Sequence, residues 1–200
     1  MTTLPHLLLL ASQSSDWVAP FAEARVNPDI TDMKLLCADD ESAFQRIVER
    51  YQQRILAYCL RITGKRVDAQ DIGQDVFLTL WLQRKRYREE GKLHLYLLKI
   101  ARLRSLALLK KRRSRTRLAE KVRKEDTSRH ASLSLSLEKD HLHLAISKIS
   151  VQHRDILTLR HFEELSLEEI QTLTGLRIGT IKSRLHRGLV ALRKEIDDVE

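Results

Sequence analysis

The sequence predicts an all-α protein made of two small helical domains joined by a flexible linker. Glycine and proline are scarce, with six and three among 200 residues. Apolar residues recur at spacings of three and four, as on one face of a helix, and no stretch alternates convincingly as a strand would. The apolar period fades over residues 114–138, which are rich in Arg, Lys, Ser and Glu and predict the linker.

Residues 35–113 predict the first domain, with three long helices. Gly64 ends the first apolar stripe, because a chain leaving a helix in the left-handed region favours a residue without Cβ. Asp68 is a candidate N-cap for the second helix, and a basic run at 110–113 ends the third. Residues 1–34 predict a poorly ordered N-terminal extension. Its leucine run at 7–10 is too short to span a bilayer, so no membrane insertion is expected.

Residues 139–200 predict a second domain that contains a helix-turn-helix. Ser166 is a natural N-cap, and Glu169 three residues later completes a capping box. Gly175 predicts the turn, and a longer helix with a basic outer face follows. A short helix bracing a longer basic one is how this motif enters the DNA major groove. The alternative is a plain helical hairpin with solvated charges. The basic face carries Lys182, Ser183, Arg184, His186 and Arg187.

Positive charge is concentrated in one segment of the chain. The formal net charge is +9, but residues 84–124 alone hold seventeen Lys or Arg against three Glu. The remainder is therefore acidic on balance. This distribution predicts a polyanionic partner at one surface and a different partner elsewhere.

The residue inventory argues against an enzyme and predicts no metal site and no cofactor. The sequence has no Gly-rich phosphate loop, no HExxH motif and no nucleophile beside a candidate base. Its eight histidines are scattered, and Cys37 and Cys59 lack a metal-ligand spacing. Two thiols in a helical chain fit a reducing cytoplasm, and Cys59 is expected in the core.

An acidic helix face is the first candidate binding surface. Asp68, Asp71 and Asp75 lie three and four residues apart, so they share a face, and Gln74 lies beside them. Acids near a helix N-terminus also favour the helix dipole, which explains Asp68 fully and Asp75 less well. The face therefore predicts either local helix stabilisation or docking of a protein through opposite charge.

A cationic segment with interleaved aromatic residues is the second candidate. Basic side chains neutralise phosphates, and aromatic faces stack on bases that have left a duplex. Trp81 is better explained as a core residue, and the tyrosines as either contacts or amphipathic boundary residues. The candidate contacts are Tyr87, Tyr96, Lys99 and Arg102.

Four motifs in this order resemble those of bacterial RNA polymerase sigma factors of the extracytoplasmic-function type, over roughly residues 35–196. Residues 39–44 resemble the opening helix of that family, and residues 68–77 are similar to its polymerase-docking helix. Residues 97–102 look like the promoter-reading helix of its first conserved domain, and residues 179–187 resemble the recognition helix of its second conserved domain. Tyr96 and Leu103 stand where the family usually has Trp and Asn.

The resemblance implies a function for each surface. Asp71, Gln74 and Asp75 would bind the clamp of core RNA polymerase. Residues of the first domain would read and help to open the minus-ten element of promoter DNA, and residues of the second would contact the minus-thirty-five element. An anti-sigma factor is a further expected partner. The implied upstream contacts are Thr180, Lys182, Ser183, Arg184 and Arg187.

Two other functions remain open from the sequence. A stand-alone helix-turn-helix regulator would bind duplex DNA without polymerase, usually as a dimer on paired half-sites. A protein-interaction module with a basic tail would bind polymerase without reading promoters, and Leu103 slightly favours it. The acidic helix ahead of the cationic segment argues for the sigma factor, because a simple regulator does not need that helix.

Overall fold

The computed structural model describes residues 27–88, 91–122 and 145–197, and their regular structure is entirely helical, as predicted. The chain also forms a 3-10 helix (Arg84–Arg86) and a π-helical segment (Thr158–Phe162). No helix within these ranges is long and apolar enough to cross a membrane. Residues 145–148 are helical as well. The α-helices with both ends in the described residues are α1 (Pro28–Cys37), α2 (Glu41–Thr63), α3 (Arg66–Gln83), α4 (Leu93–Val122), α5 (Val151–Leu157), α6 (Leu167–Thr174) and α7 (Ile178–Asp197).

Helices α1 to α4 form an N-terminal unit (residues 28–122) in which α2 packs against the other three. Asp40 caps α2 by accepting hydrogen bonds from the backbone N–H groups of Ser42 and Ala43. Gly64 ends α2 with a φ of 70°, as predicted. Cys59 is fully buried, which confirms its predicted place in the core, and burial raises the pKa of its thiol to about 12. The α2 core residues are Ala43, Ile47, Tyr51, Ile55, Tyr58, Cys59 and Ile62.

Helix α1 corrects the predicted N-terminal extension, because residues 28–34 belong to a packed helix. Asp29 and Asp32 are buried, and Arg50 of α2 binds one carboxylate with each terminal nitrogen at 2.6 Å. Burial acts to raise the pKa of Asp32, but hydrogen bonds from Arg50 and Arg46 lower it below its usual value. The structure thus buries the two acids in ion pairs with α2. Residues 1–26 lie outside the described part of the chain.

Helix α4 corrects two further predictions. It continues to Val122, so the linker does not begin at residue 114. Arg, Lys, Ala and Leu sustain a helix after the apolar period has faded, because their intrinsic propensity is high. Arg112 of α4 binds both carboxylate oxygens of Asp68. Asp68 lies in the first turn of α3 and is not its N-cap, which is Lys65. Residues 123–138 of the predicted linker lie outside the described residues.

Gly188 marks a close helix contact in the C-terminal unit (residues 145–197). A Cβ added there would lie 2.9 Å from Leu157 Cδ1 and 3.3 Å from His153 Cβ. Overpacking costs about 1–3 kcal/mol, so we expect Gly188→Val to lower the free energy of unfolding by about 2 kcal/mol in urea denaturation. The control is Gly73→Ala, where nothing lies within 4 Å and a gain of up to about 1 kcal/mol is expected. Equal stability of Gly188→Val and the parent chain would contradict the contact.

Candidate nucleic-acid and protein interfaces

Helix α3 exposes a face that is partly acidic and partly apolar. Asp71 and Gln74 are exposed, and the same face continues into Leu78 and Leu82, which are 52% and 70% exposed. The two leucines were missed in the sequence because they lie off the buried stripe of the helix. Their signal is their spacing of seven and eleven residues from Asp71, which returns them to its face. Exposed leucines beside carboxylates favour a protein partner over a polyanion.

Asp75 lies on this face and is half-buried. Its Oδ2 is 3.5 Å from Nε of Arg104 on α4, and both side chains are about half exposed. An ion pair between exposed side chains is typically worth under about 1 kcal/mol. A cation of a partner could therefore replace Arg104 at little cost, and the structure keeps all three predicted docking residues accessible.

The predicted basic, aromatic surface is assembled from the end of α3, the 3-10 helix and the start of α4. The rings of Tyr87 and Tyr96 meet edge to face, with centroids 5.0 Å apart. The Tyr96 hydroxyl donates a hydrogen bond to Gln83 Oε1 at 3.0 Å, and burial raises its pKa. Lys99 is exposed one turn further along α4. Three of the four predicted contacts, Tyr87, Tyr96 and Lys99, therefore line one cleft of about 380 Å³.

The basic loop after α3 is fixed to the junction of α1 and α2. The guanidinium of Arg84 lies 4.3 Å above the Trp81 ring and also binds Asp39, and its hydrogen bond lowers the pKa of that carboxyl. The Cys37 thiol donates to the Arg84 carbonyl at 3.1 Å. Trp81 itself packs edge-on against Phe44, with ring centroids 5.2 Å apart. Contacts of Arg84 with Trp81, Asp39 and Cys37 therefore fix the position of the loop that carries Tyr87.

Helices α6 and α7 form the predicted helix-turn-helix. The Ser166 side chain accepts from the Glu169 backbone and the Glu169 carboxylate from the Ser166 backbone, which confirms the capping box. Gly175 ends α6 in the left-handed region with a φ of 71°, as predicted. Ile181 and Gly188 are the buried residues of α7 and mark the side that packs inward. On the remaining surface, Thr180, Lys182 and Arg187 are exposed, whereas Ser183 and Arg184 are half-buried.

A contact between the two units was not foreseen from the sequence. Asp155 on α5 is buried, and its carboxylate accepts from the Tyr58 hydroxyl at 2.9 Å and from Arg102 Nε at 2.8 Å. Burial raises the pKa of Asp155. Arg102 was predicted to contact DNA, but in this structure its guanidinium binds the carboxylate of Asp155 in the C-terminal unit. The sequence offers no signal for such pairing, because the partners lie far apart along the chain.

A second buried carboxylate, Glu163, makes a parallel contact just after the π-helical segment. Arg54 donates from Nε to Glu163 Oε2 at 2.6 Å and from Nη2 to its carbonyl at 2.9 Å. The Arg61 guanidinium lies 3.8 Å from the same carboxylate and 4.1 Å from the centroid of the Phe162 ring. The neighbouring Glu164 has a φ of 58°, which is uncommon for a residue with a Cβ. The π-helical turn therefore presents Glu163 and Phe162 to α2.

Apolar packing joins the units as well. Ile156, Leu159 and Leu165 of the C-terminal unit belong to the same buried cluster as the core of the N-terminal unit. The two predicted domains thus pack together in this structure.

Comparison with known families identifies both units. Residues 47–115 match the family model for sigma-70 region 2, and residues 139–192 match that for sigma-70 region 4. Together these matches span more than half of the chain.

Individual relatives agree with the family models. The sigma factor SigW of Bacillus subtilis is 28% identical over 177 residues, which cover 80% of this chain and 92% of SigW. SigE of Mycolicibacterium smegmatis is 27% identical over 192 residues, covering 90% of this chain and 70% of SigE. Both carry the designation ECF RNA polymerase sigma factor.

Solved structures share the fold. The sigma factor RpoE of Bartonella quintana, crystallised with the anti-sigma factor NepR, superimposes with a TM-score of 0.64 at 23% identity, covering 77% of this chain and 96% of RpoE. CnrH, solved with the cytosolic domain of CnrY, gives 0.63 at 19% identity, covering 86% of this chain and 99% of CnrH. With region 2 and region 4 matched in order and relatives aligned over most of their length, the chain belongs to the sigma-70 family as a sigma factor of the extracytoplasmic-function type.

Proposed function

We propose that this chain binds core RNA polymerase and directs DNA-templated transcription initiation at specific promoters. The observation that carries this function is the succession of a region 2 and a region 4, each with a basic surface, in one chain. A stand-alone helix-turn-helix regulator would need only the second of these. The region 2 match therefore disfavours that alternative.

The mixed face of α3 is the proposed contact with polymerase. Asp71, Gln74 and Asp75 supply carboxylates and an amide, and Leu78 and Leu82 extend the face with apolar area. Opposite charge steers association and fixes register, whereas desolvated apolar side chains supply most of the affinity. A cationic partner helix with an apolar strip fits this surface.

Two cationic surfaces are the proposed contacts with promoter DNA. The cleft of Tyr87 and Tyr96 suits bases that have left the duplex, because ring faces stack on any base. Lys99 and Arg102 lie on the same helix and suit the phosphates of the minus-ten element. The exposed face of α7 suits the major groove at the minus-thirty-five element, where Arg and Lys pair with guanine edges. The upstream contacts are Thr180, Lys182, Ser183, Arg184 and Arg187.

Further partners follow from the family. RpoE and CnrH were solved with an anti-sigma factor and with the cytosolic domain of CnrY, respectively. We include an anti-sigma factor among the proposed partners of this chain. The proposed place of action of this chain is the cytoplasm, where the polymerase and the chromosome are. We propose that the chain acts by binding and not by catalysis.

Run-off transcription tests the proposed function. Core RNA polymerase is incubated with a genomic promoter library, with and without the purified chain, and the transcripts are sequenced. We expect a defined set of start sites that appears only with the chain and shares two upstream elements. Absence of any chain-dependent start site would refute the proposed function.

A further inference from the structure

Helix α4 carries cations on the side that faces α3, and acids of α3 neutralise them. Arg104 Nε lies 3.5 Å from Asp75 Oδ2. Arg112, about two turns later, binds both carboxylate oxygens of Asp68. Each arginine on this side of α4 therefore has a carboxylate partner on α3.

Another side of α4 carries a line of cations without such partners. Lys99, Lys110 and Arg113 are exposed, and none of them forms an ion pair with a residue in the described part of the chain. At about 100° per residue, Lys110 and Arg113 lie within about 40° of Lys99 around the helix axis, whereas Arg104 and Arg112 lie about 140° away. The unpaired cations therefore share one face, which turns away from the acids of α3.

The C-terminal end of α4 projects past α3. Helix α3 begins at Arg66, only two residues before Asp68. Helix α4 continues from Arg112 to Val122, which is about 15 Å. Residues 113–116 are all exposed and include no apolar and no acidic side chain. Protein interfaces are depleted in lysine and enriched in aromatic side chains, so this surface suits a polyanion better than a protein.

We infer that Lys110 and Arg113 form a third DNA contact, on the phosphates of the duplex upstream of the minus-ten element. They lie about 16 and 21 Å beyond Lys99 on the same face, which corresponds to about five or six base pairs at 3.4 Å each. The contact lies upstream because the C-terminal end of α4 leads along the chain to the unit proposed to hold the minus-thirty-five element. This inference rests on the proposed function, because it extends the surface on which Lys99 is proposed to bind phosphates.

A contact of this kind adds affinity without reading sequence. Phosphate contacts fix the register and orientation of a protein on the duplex, whereas base edges carry the sequence information. Lys110 and Arg113 should therefore act equally on every spacer sequence. Their contribution should appear as salt dependence, because each neutralised phosphate releases counterions.

The first test uses the full chain without polymerase and a fluorescein-labelled duplex of about 20 base pairs with an arbitrary sequence. Binding is measured by anisotropy at several KCl concentrations for the parent chain and for Lys110→Gln, Arg113→Gln. Each lost phosphate contact should lower the slope of log K against log[KCl] by about 0.9, so we expect a slope smaller by about two. Affinity at about 0.15 M KCl should fall about tenfold.

The matched control is Lys111→Gln, Arg115→Gln. Both side chains are exposed, and the variant removes the same charge from the same part of α4, but at about 120–160° from Lys99 around the helix axis. Its slope should match that of the parent chain. An unchanged slope for Lys110→Gln, Arg113→Gln would overturn the inference, as would an equal loss in both variants, which would indicate diffuse attraction instead of an aligned contact.

A second test places the contact on the promoter. Core polymerase carrying the chain is bound to a promoter found by run-off transcription, with neutral methylphosphonates about five and six base pairs upstream or downstream of the minus-ten element. The upstream substitution should weaken binding of the parent about tenfold and leave the Lys110→Gln, Arg113→Gln complex unchanged, as in a double-mutant cycle. Equal weakening of both complexes, or an effect only downstream, would overturn the upstream placement. The free-chain titration needs neither polymerase nor a promoter, so its failure is distinguishable from a failure of run-off transcription.

Discussion

Reversing the charge of Asp71 and Asp75 together should abolish co-purification of the chain with core RNA polymerase. Like charges placed opposite each other across an interface cost several kcal/mol, and every 1.4 kcal/mol is a factor of ten in affinity. We therefore expect Asp71→Arg, Asp75→Arg to weaken binding at least about 100-fold in a pull-down or by fluorescence anisotropy. The fold should survive, because Asp71 is exposed and Asp75 makes only a weak pair with Arg104.

Glu49→Arg is the matched control for that variant. Glu49 is exposed on α2, where it accepts a hydrogen bond from Gln45, and it lies outside the proposed face of α3. Its reversal should leave retention on polymerase within about threefold, the expectation for a rim charge. Unchanged retention of the Asp71→Arg, Asp75→Arg chain, with an intact circular dichroism spectrum, would exclude α3 as the docking face.

Removing Lys182 and Arg187 should abolish dependence on the minus-thirty-five element. Both side chains are exposed on α7, and a good base contact carries about 1–3 kcal/mol of discrimination. Lys182→Ala with Arg187→Ala should therefore lower run-off transcription from an intact promoter at least about 30-fold. Its level should approach that from a template with a scrambled upstream element.

Arg193→Ala removes the same kind of charge from the same helix. Its side chain is 85% exposed and is paired only with Asp197, 3.8 Å away, among the described residues. Because it lies further along α7, its loss should change transcription less than threefold. If the Lys182, Arg187 variant lost equal activity on intact and scrambled templates, both side chains would contact phosphates instead of base edges.

Much of the fold was predictable because its signals are local. Ser166 with Glu169, and the glycines at 64 and 175, specify helix ends through their own backbone preferences. The burial of Asp29 and Asp32 was not predictable, because it depends on side chains of another helix, Arg50 above all. The extent of α4 was missed for a local reason, because helix propensity continues after the apolar stripe ends.

The candidate binding surfaces also divide into predictable and unpredictable parts. The helical spacing of the acids on α3 and of the basic residues on α7 could be read from the sequence, because each surface is a single helix. The contacts of Asp155 with Tyr58 and of Glu163 with Arg54 could not, since 97 and 109 residues separate the partners. The roles of the exposed side chains toward polymerase and DNA remain predictions until the variants are measured.

Helix α4 also acts as a rigid arm. Its 30 residues span about 45 Å at 1.5 Å per residue, and its turn at 113–116 is exposed on every side. The direction in which the chain leaves this arm depends on helical phase. One inserted residue would rotate the departure point by about 100°, whereas four would nearly restore it while moving it about 6 Å outward. The length of α4 thereby sets the position from which the chain continues beyond Val122.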